Sequence, residues 1–502
     1  MAIQIVGFSS SYKVPGFFGE TVYGAGAISQ GSIPLTLLVV GLKSAAGAMT
    51  PDSAPVDVFS VEDADAQAGP GSELARMCYA ALKYPGIRLK AACPGAASGA
   101  VAAAATITVT GTATTSGEWE YRVAGETISG GIATGDLAAD VATDIAAAIN
   151  SRPRLPVTAS VGGGGSNVVT LTVKSPGIRG NDYILHQVTT RLASGISSAI
   201  AGGSTVTGGG VKFASGAGTE DVTTLLSVLL PGWYHRIAIA QNDATNLARW
   251  KSHSLVKAGP LEGRMEHYVV AGHGALSASQ SLSTTTLNYQ RFQNAWLLNS
   301  ESHPSEIAAS LAALRTITEQ DDPDAAYDDV QLLGIAPQAF VADWPKASTQ
   351  SSALDNGVTP LTTTADGRVV VVMSITTRCL NGSDPDYGTL DTSYAVVPDY
   401  VRDGLRLIWT SEFKKNNPRV ADDPAEGQKD RPAGVATPTR WAQRATKYLK
   451  DQESASPPIL IEVDENPVVA EYNRAAKRIM SIVPVVPAPN QHQIGVSVRQ
   501  QA

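Results

Sequence analysis

Apolar residues from Leu35 to Val40 run almost without a break, which predicts a strand buried on both faces; Val56 to Ser60 predicts a second. Leu74, Met77, Cys78, Ala81 and Leu82 then recur at helical spacing. That helix has Ala68-Gly69-Pro70-Gly71 and an N-cap candidate, Ser72, before it, and Pro85-Gly86 after it. Ile87 to Ala91 is the next strand. Further along, Ile107 to Thr110, Trp119 to Val123 and Glu126 to Ser129 read as short strands. Leu137, Val141, Ile145 and Ile149 recur every fourth residue and predict a helix. Val157 to Val161 and Val168 to Val173 flank the glycines 162–165 as a hairpin. From Thr219 helices and strands alternate. A helix over Val222 to Leu230 precedes a strand from Arg236 to Ala240, and Asp243 opens a helix with Leu247, Trp250 and Leu255 on one face. Strands are expected at His267 to Ala271, Asn294 to Leu298 and Val369 to Met373, and helices from Pro304 to about Thr316, near Tyr400 to Phe413 and from Pro438 to Lys450. Asp321 to Asp329 reads as an acidic loop.

This alternation predicts a mixed α/β chain with helix-covered sheets and more than one domain. The stretch AASGAVAAAA from Ala96 is low in complexity and reads as the linker into a small inserted β-rich domain that closes near Gly202-Gly203. Both ends carry strand-like segments with no local partner: Ile3-Gln4-Ile5-Val6, followed by Val14-Pro15-Gly16-Phe17, and Ile494-Gly495-Val496-Ser497-Val498 after the proline-rich Pro484 to Pro489. The expected division is an N-terminal arm (1–20), a discontinuous α/β core (21–95 and 206–378), the inserted domain (96–205), a C-terminal domain (379–483) and a C-terminal arm (484–502).

Composition narrows the function classes. Only 17% of the 502 residues are charged and 47 are glycine, so part of the surface is neutral and small-residued, which suits packing against other protein. A net charge of −8 argues against a surface built to neutralise phosphates, and no direct nucleic-acid partner is expected. Cys78, Cys93 and Cys379 are too few and scattered for a disulfide framework, which points to a reducing compartment. MAIQIVGFSS has neither a basic segment nor a long apolar core, so a secretory signal is not expected; the longest apolar run, Ile33 to Leu42, is half a membrane span and contains Pro34. Cytoplasmic synthesis follows as the expectation.

Catalytic patterns are absent from the sequence. There is no Walker A motif, complete GxGxxG, CxxC, HExxH or GxSxG. Gly69-Pro70-Gly71-Ser72 could cradle an anion at a helix N-terminus, but a turn with an N-cap explains it better. His267 and His273 read as satisfied strand or loop histidines, Asp321, Asp322 and Asp324 as a solvated acidic loop, and Asn381-Gly382-Ser383 as a tight turn. No catalytic residue, cofactor or metal is expected. In the helix after Pro438, Trp441, Ala445, Tyr448 and Leu449 share an apolar face, and Arg440, Arg444 and Lys447 form a basic stripe at i, i+4, i+7. The stripe is either a solvated face or a docking surface for an acidic partner.

The ordered series of segments resembles the sheath protein of contractile phage tails, particularly the Mu-like myophage group. Val14-Pro15-Gly16-Phe17, Gly69-x-Gly71-Ser72-Glu73-Leu74-Ala75-x-Met77, Ile107-Thr108-Val109-Thr110-Gly111-Thr112-Ala113 and Val169-Thr170-Leu171-Thr172 carry the first half of it. Asp366-Gly367-Arg368-Val369, Ile375-Thr376-Thr377-Arg378, Asp391-Thr392-Ser393-Tyr394, Tyr400-Val401-Arg402-Asp403-Gly404-Leu405-Arg406 and Val435-Ala436-Thr437-Pro438 carry the second. Met373-Ser374 stands where the family pattern has an arginine before Ile-Thr-Thr. The resemblance implies a non-enzymatic structural subunit in the virion's contractile tail, assembled in the host cytoplasm. It implies stacked hexameric rings in a helical sleeve around an inner tail tube, with baseplate and tail terminator proteins as further partners and no membrane insertion. Contraction of the sleeve drives the tube through the host envelope. It further implies that the terminal arms add strands to neighbouring subunits, through Ile3, Ile5, Val14, Pro15 and Gly16 at one end and Ile494, Val496 and Val498 at the other. Arg440, Arg444 and Lys447 are then the candidate tube-facing stripe. The alternative is a cytosolic α/β enzyme, hydrolase-like, with an inserted binding domain.

Overall fold

In the computed structural model, residues 34–492 are described, apart from 164, 189–190, 260–261, 387, 389, 415–418 and 475–476. Two compact units emerge: Pro34–Val396 together with the residues from Asn490, and Val397–Pro489.

The larger unit is built on an eight-stranded sheet. Its order is Val369–Val371, Thr359–Thr363, Phe292–Trp296, His267–Gly272, Arg236–Ile239, Thr36–Val40, Arg88–Ala92 and Val56–Val58. The six inner strands are mutually parallel and each edge strand is antiparallel to its neighbour. The unbroken apolar run follows from burial on both faces. Leu37 and Val39 point into one core with Leu74, Met77 and Ile307, while Leu38 and Val40 point into the other with Leu225, Leu247 and Trp250.

The helix Pro304–Asp321 lies across the first face with the helix Glu73–Ala81 packed on it. It runs five residues past the expected end at Thr316, so Asp321 closes a helix instead of opening a loop. Glu319 in that extension is buried and paired with Arg315, Arg236 and Tyr327, and apolar periodicity cannot show this. In the helix Ala244–Lys257, capped by Asp243, Leu247 and Trp250 are buried as expected but Leu255 is exposed; His253, Ser254 and Lys257 take the inner positions. The helix Val61–Ala68 escapes the sequence reading because VEDADAQA buries only two alanines.

Residues 104–212 form two antiparallel four-stranded sheets around their own core. One has the order Ile196–Ala201, Ala104–Gly111, Val168–Val173, Val157–Val161; the other Val211–Lys212, Ile184–Val188, Gly117–Val123, Glu126–Ile132. Val141, Ile145 and Ile149 of the helix Ala138–Asn150 fill the core with Trp119, Tyr121 and Leu171. The reading undercounts strands here. Ile184–Val188, Ile196–Ala201 and Val211–Lys212 go unseen, and ISSAIA, with its small side chains, carries little strand signal of its own.

The Val397–Pro489 unit is smaller. Its core joins Val397, Val401 and Ile408 from the helix Thr392–Ile408 to Tyr448 and Leu449 from the helix Pro438–Glu453, with Leu460 and Val463. Thr437 caps the second helix and Pro438 occupies its first turn. At Gly404 a Cβ would collide with the Tyr448 ring and hydroxyl of the second helix. A hairpin that the reading missed, Val469–Asn473 with Arg478–Ile482, packs on the Pro438 helix, and the Trp441 Nε1 donates to Ser481 Oγ at 3.0 Å.

Candidate functional site

The strand-arm residues Ile3, Ile5, Val14, Pro15, Gly16, Ile494, Val496 and Val498 lie outside the described residues. The Val469–Ile482 hairpin is a two-stranded sheet among the described residues. Val469 and Ile482 sit opposite one another at its open end, 59% and 72% exposed, and Met480 is also exposed. Adjacent to the hairpin is a groove of about 800 Å³. Leu405, Trp409, Phe413, Trp441 and Ile479 supply apolar lining, and Arg402, Arg406, Lys414, Arg419, Lys477 and Arg478 supply cationic lining. Trp409 is half exposed, with the Lys414 ammonium 5.4 Å from its ring centroid, a cation–π distance.

The three residues of the basic stripe have different surroundings. Arg440 donates to the carbonyls of Arg431, Pro432 and Val435 and so holds the segment leading into its own helix. Arg444 makes a bidentate pair with Glu412, at 2.8 and 2.7 Å, and that hydrogen-bonded carboxylate raises its pKa. Lys447 is exposed.

In the larger unit several buried charged groups lie in ion-pair networks. Glu73, in the first turn of its helix, accepts from Arg179 at 2.7 and 2.8 Å and from the Leu42 N–H at 2.9 Å. Arg179 also reaches Glu220 at 2.5 Å. Burial alone would raise the Glu73 pKa, but Arg179 prevails and holds it below the ordinary value. Arg76, three residues on, pairs with Glu306 at 2.7 Å and Glu126 at 3.0 Å and donates to the Ala124 carbonyl. These bonds fasten residues 104–212 to the eight-stranded layer, since Glu126 and Arg179 belong to the former region and Glu73, Arg76 and Glu306 to the latter. The sequence reading missed them because charged residues on an amphipathic helix normally face water.

The turn before Ser72 uses positive φ at Gly69 and Gly71, Ser72 Oγ accepts the Ala75 N–H, and the Glu73 N–H donates to Ser175 Oγ, so side chains already occupy this helix N-terminus. His273 is buried between the Ser300 carbonyl and Asp182. Gly382 has φ +66° in a tight turn between Leu380–Asn381 and Asp384–Pro385. Among the described residues no three His, Cys, Asp or Glu side chains are grouped to hold a metal ion, and no helix is long and apolar enough to cross a membrane.

The chain is similar to solved tail sheath structures. A sheath tail protein from Desulfitobacterium hafniense aligns over 93% of this chain and 96% of its own, at 12% identity and a TM-score of 0.49. One from Listeria innocua aligns over 91% and 92%, at 13% identity and a TM-score of 0.48. The helical sheath of the anti-feeding prophage in its contracted state aligns over 98% and 100%, at 10% identity and a TM-score of 0.49. No family model and no curated protein matches the sequence.

Proposed function

We propose that this chain is the structural subunit of a contractile tail sheath, joined to its neighbours by strands exchanged at its two ends. The observation that carries the proposal is the Val469–Ile482 hairpin. A two-stranded sheet is marginal in water, a sheet edge is where a further strand pairs, and the open end of this one exposes the Val469–Ile482 pair. The same sequence carries apolar, strand-like segments near both termini, and the sheath-like series of sequence segments runs in order between them. Strand addition takes its affinity from main-chain hydrogen bonds and its specificity from alternate side chains. Ile494, Val496 and Val498 from one neighbour, and Ile3 and Ile5 from another, supply those side chains.

In this reading the copies form hexameric rings stacked into a helical sleeve, a head-to-tail contact that repeats without closing along the axis. The 96–205 domain faces outward, the 379–483 domain faces the tube, and baseplate and terminator proteins bound the polymer. Contraction is a rigid-body rearrangement of subunits whose exchanged strands stay joined, with Ser9 to Lys13 and Pro484 to Pro489 as linkers. The extended sleeve is metastable, and a gain of only ~1 kcal/mol per copy, about one net hydrogen bond, suffices when summed along it. The Arg440–Arg444–Lys447 helix is the tube-facing element, with Lys447 as its exposed charge.

Strand capture is testable with a labelled peptide of residues 493–502 and a chain ending at His492. Saturable binding is expected, weakened at least tenfold by Val469→Lys with Ile482→Lys. Absence of binding, or binding indifferent to both lysines, would count against the hairpin as acceptor.

A further inference from the structure

After the proline-rich stretch the chain reads Asn490-Gln491-His492, and these residues are held by the larger unit. The Asn490 amide donates to the Asp324 carbonyl at 3.0 Å. The His492 ring lies between two carboxylates, Nδ1 at 2.7 Å from Asp328 and Nε2 at 2.9 Å from Asp391. A carboxylate in an ion pair accepts and does not donate, so satisfying both contacts requires a proton on each ring nitrogen, the imidazolium form. A neutral ring would turn a lone pair toward one of the two oxygens.

The surroundings reinforce this requirement. Asp391 is nearly buried, and its other oxygen accepts the Ser393 N–H at 2.9 Å at the start of the Thr392–Ile408 helix. Asp322 and Asp324 lie in the loop beside it, where Asp322 accepts the Asp324 N–H at 3.0 Å. Oδ1 of Asp324 and Oδ1 of Asp328 are buried without a hydrogen-bond partner. Tyr394 is the other titratable group, its pKa raised by burial and then by Asp391 and Asp324. Two carboxylates thus hold the imidazole, and Asp324 acts on one of them, Asp391, from the neighbouring loop.

We propose that His492 is a proton-operated latch: as imidazolium it pins the root of the C-terminal segment to the Asp328–Asp391 pair, and as neutral imidazole it lets that segment go. Burial opposes the charged ring, but the bonds to Asp328 and Asp391 outweigh it and raise the His492 pKa above 6.5. A histidine raised on folding gives stability that is fully present below its unfolded pKa and is lost as pH rises through its folded one. Burial, with Asp322 and Asp391 nearby, pushes Asp324 up to about 7. The latch needs only one chain; what it governs, the availability of Ile494, Val496 and Val498 to a neighbour, rests on the strand-donor reading.

The test is the fluorescence anisotropy of a dye on Gln500→Cys, read at high dilution, where the chain is a single copy. The native cysteines are buried, so the dye reports the tail. A high plateau at acidic pH is expected, falling with a midpoint above the ordinary histidine value. His492→Gln should sit at the lower level throughout, and Asp328→Asn should move the midpoint down. An unchanged thermal midpoint for each variant confirms folding. A wild-type tail whose mobility ignores pH, or one matched by His492→Gln, would overturn the latch. Peptide capture by the hairpin does not depend on His492, so that assay separates failure of the latch from failure of strand exchange.

Discussion

Arg179→Met is expected to cost the larger unit about 3–5 kcal/mol, the penalty for leaving buried carboxylates without their cation. Glu73 is 3% exposed and Glu220 2%, and both lose the partner that neutralises them. The loss should appear as a lower urea midpoint at neutral pH. Adding Glu73→Gln and Glu220→Gln to the same chain should recover most of it, because removing all the charges relieves the desolvation that removing one exposes. The acid limb has a definite sign. Glu73 is held below its ordinary pKa of 4.5, so its contribution is present above that value and is lost as pH falls through the lower folded one. The difference between wild type and Arg179→Met should therefore shrink in acid. An equal deficit at every pH would show that the packing of the guanidinium, not its charge, does the holding.

Ending the chain after His492 is expected to abolish polymerisation while leaving the thermal midpoint close to wild type. The truncation removes Ile494, Val496 and Val498 and none of the described core. Val496→Pro is the milder form, because it deletes one main-chain donor from the added strand and keeps its length. Sedimentation of the purified chains measures both. Polymers that persist at wild-type yield after truncation would remove the C-terminal strand from the assembly mechanism.

Elements were legible in the sequence wherever burial is two-sided or periodic. Leu35 to Val40 announces an inner strand because both its faces are covered, and Leu137, Val141, Ile145 and Ile149 announce a helix because one face is. The Ser72 cap and the end of its helix were equally plain from local chemistry. Polar residues doing buried work were not legible. Glu319, Arg315 and Lys257 look like surface residues in the sequence, and only the fold brings their partners within reach from distant segments, as with Glu319 and Arg236, or Lys257 and Glu266. The His492 clamp is of the same kind: its ring meets Asp328 and Asp391, 164 and 101 residues away. The stripe lies along one helix, as its spacing predicts, but its three charges are unequal, because Glu412 comes from a different helical segment to engage Arg444. The Val469–Ile482 hairpin was hidden because its strands are largely exposed and lack a buried alternating face.

Strand exchange between copies is the claim on which assembly and contraction both depend. Electron microscopy of the purified full-length chain, concentrated without any partner, tests it most directly. The account predicts tubes or stacked rings, each subunit's small sheet extended by strands that trace to the termini of neighbouring copies. A chain that stays a 502-residue monomer, with its own ends closing the Val469–Ile482 sheet, would contradict it.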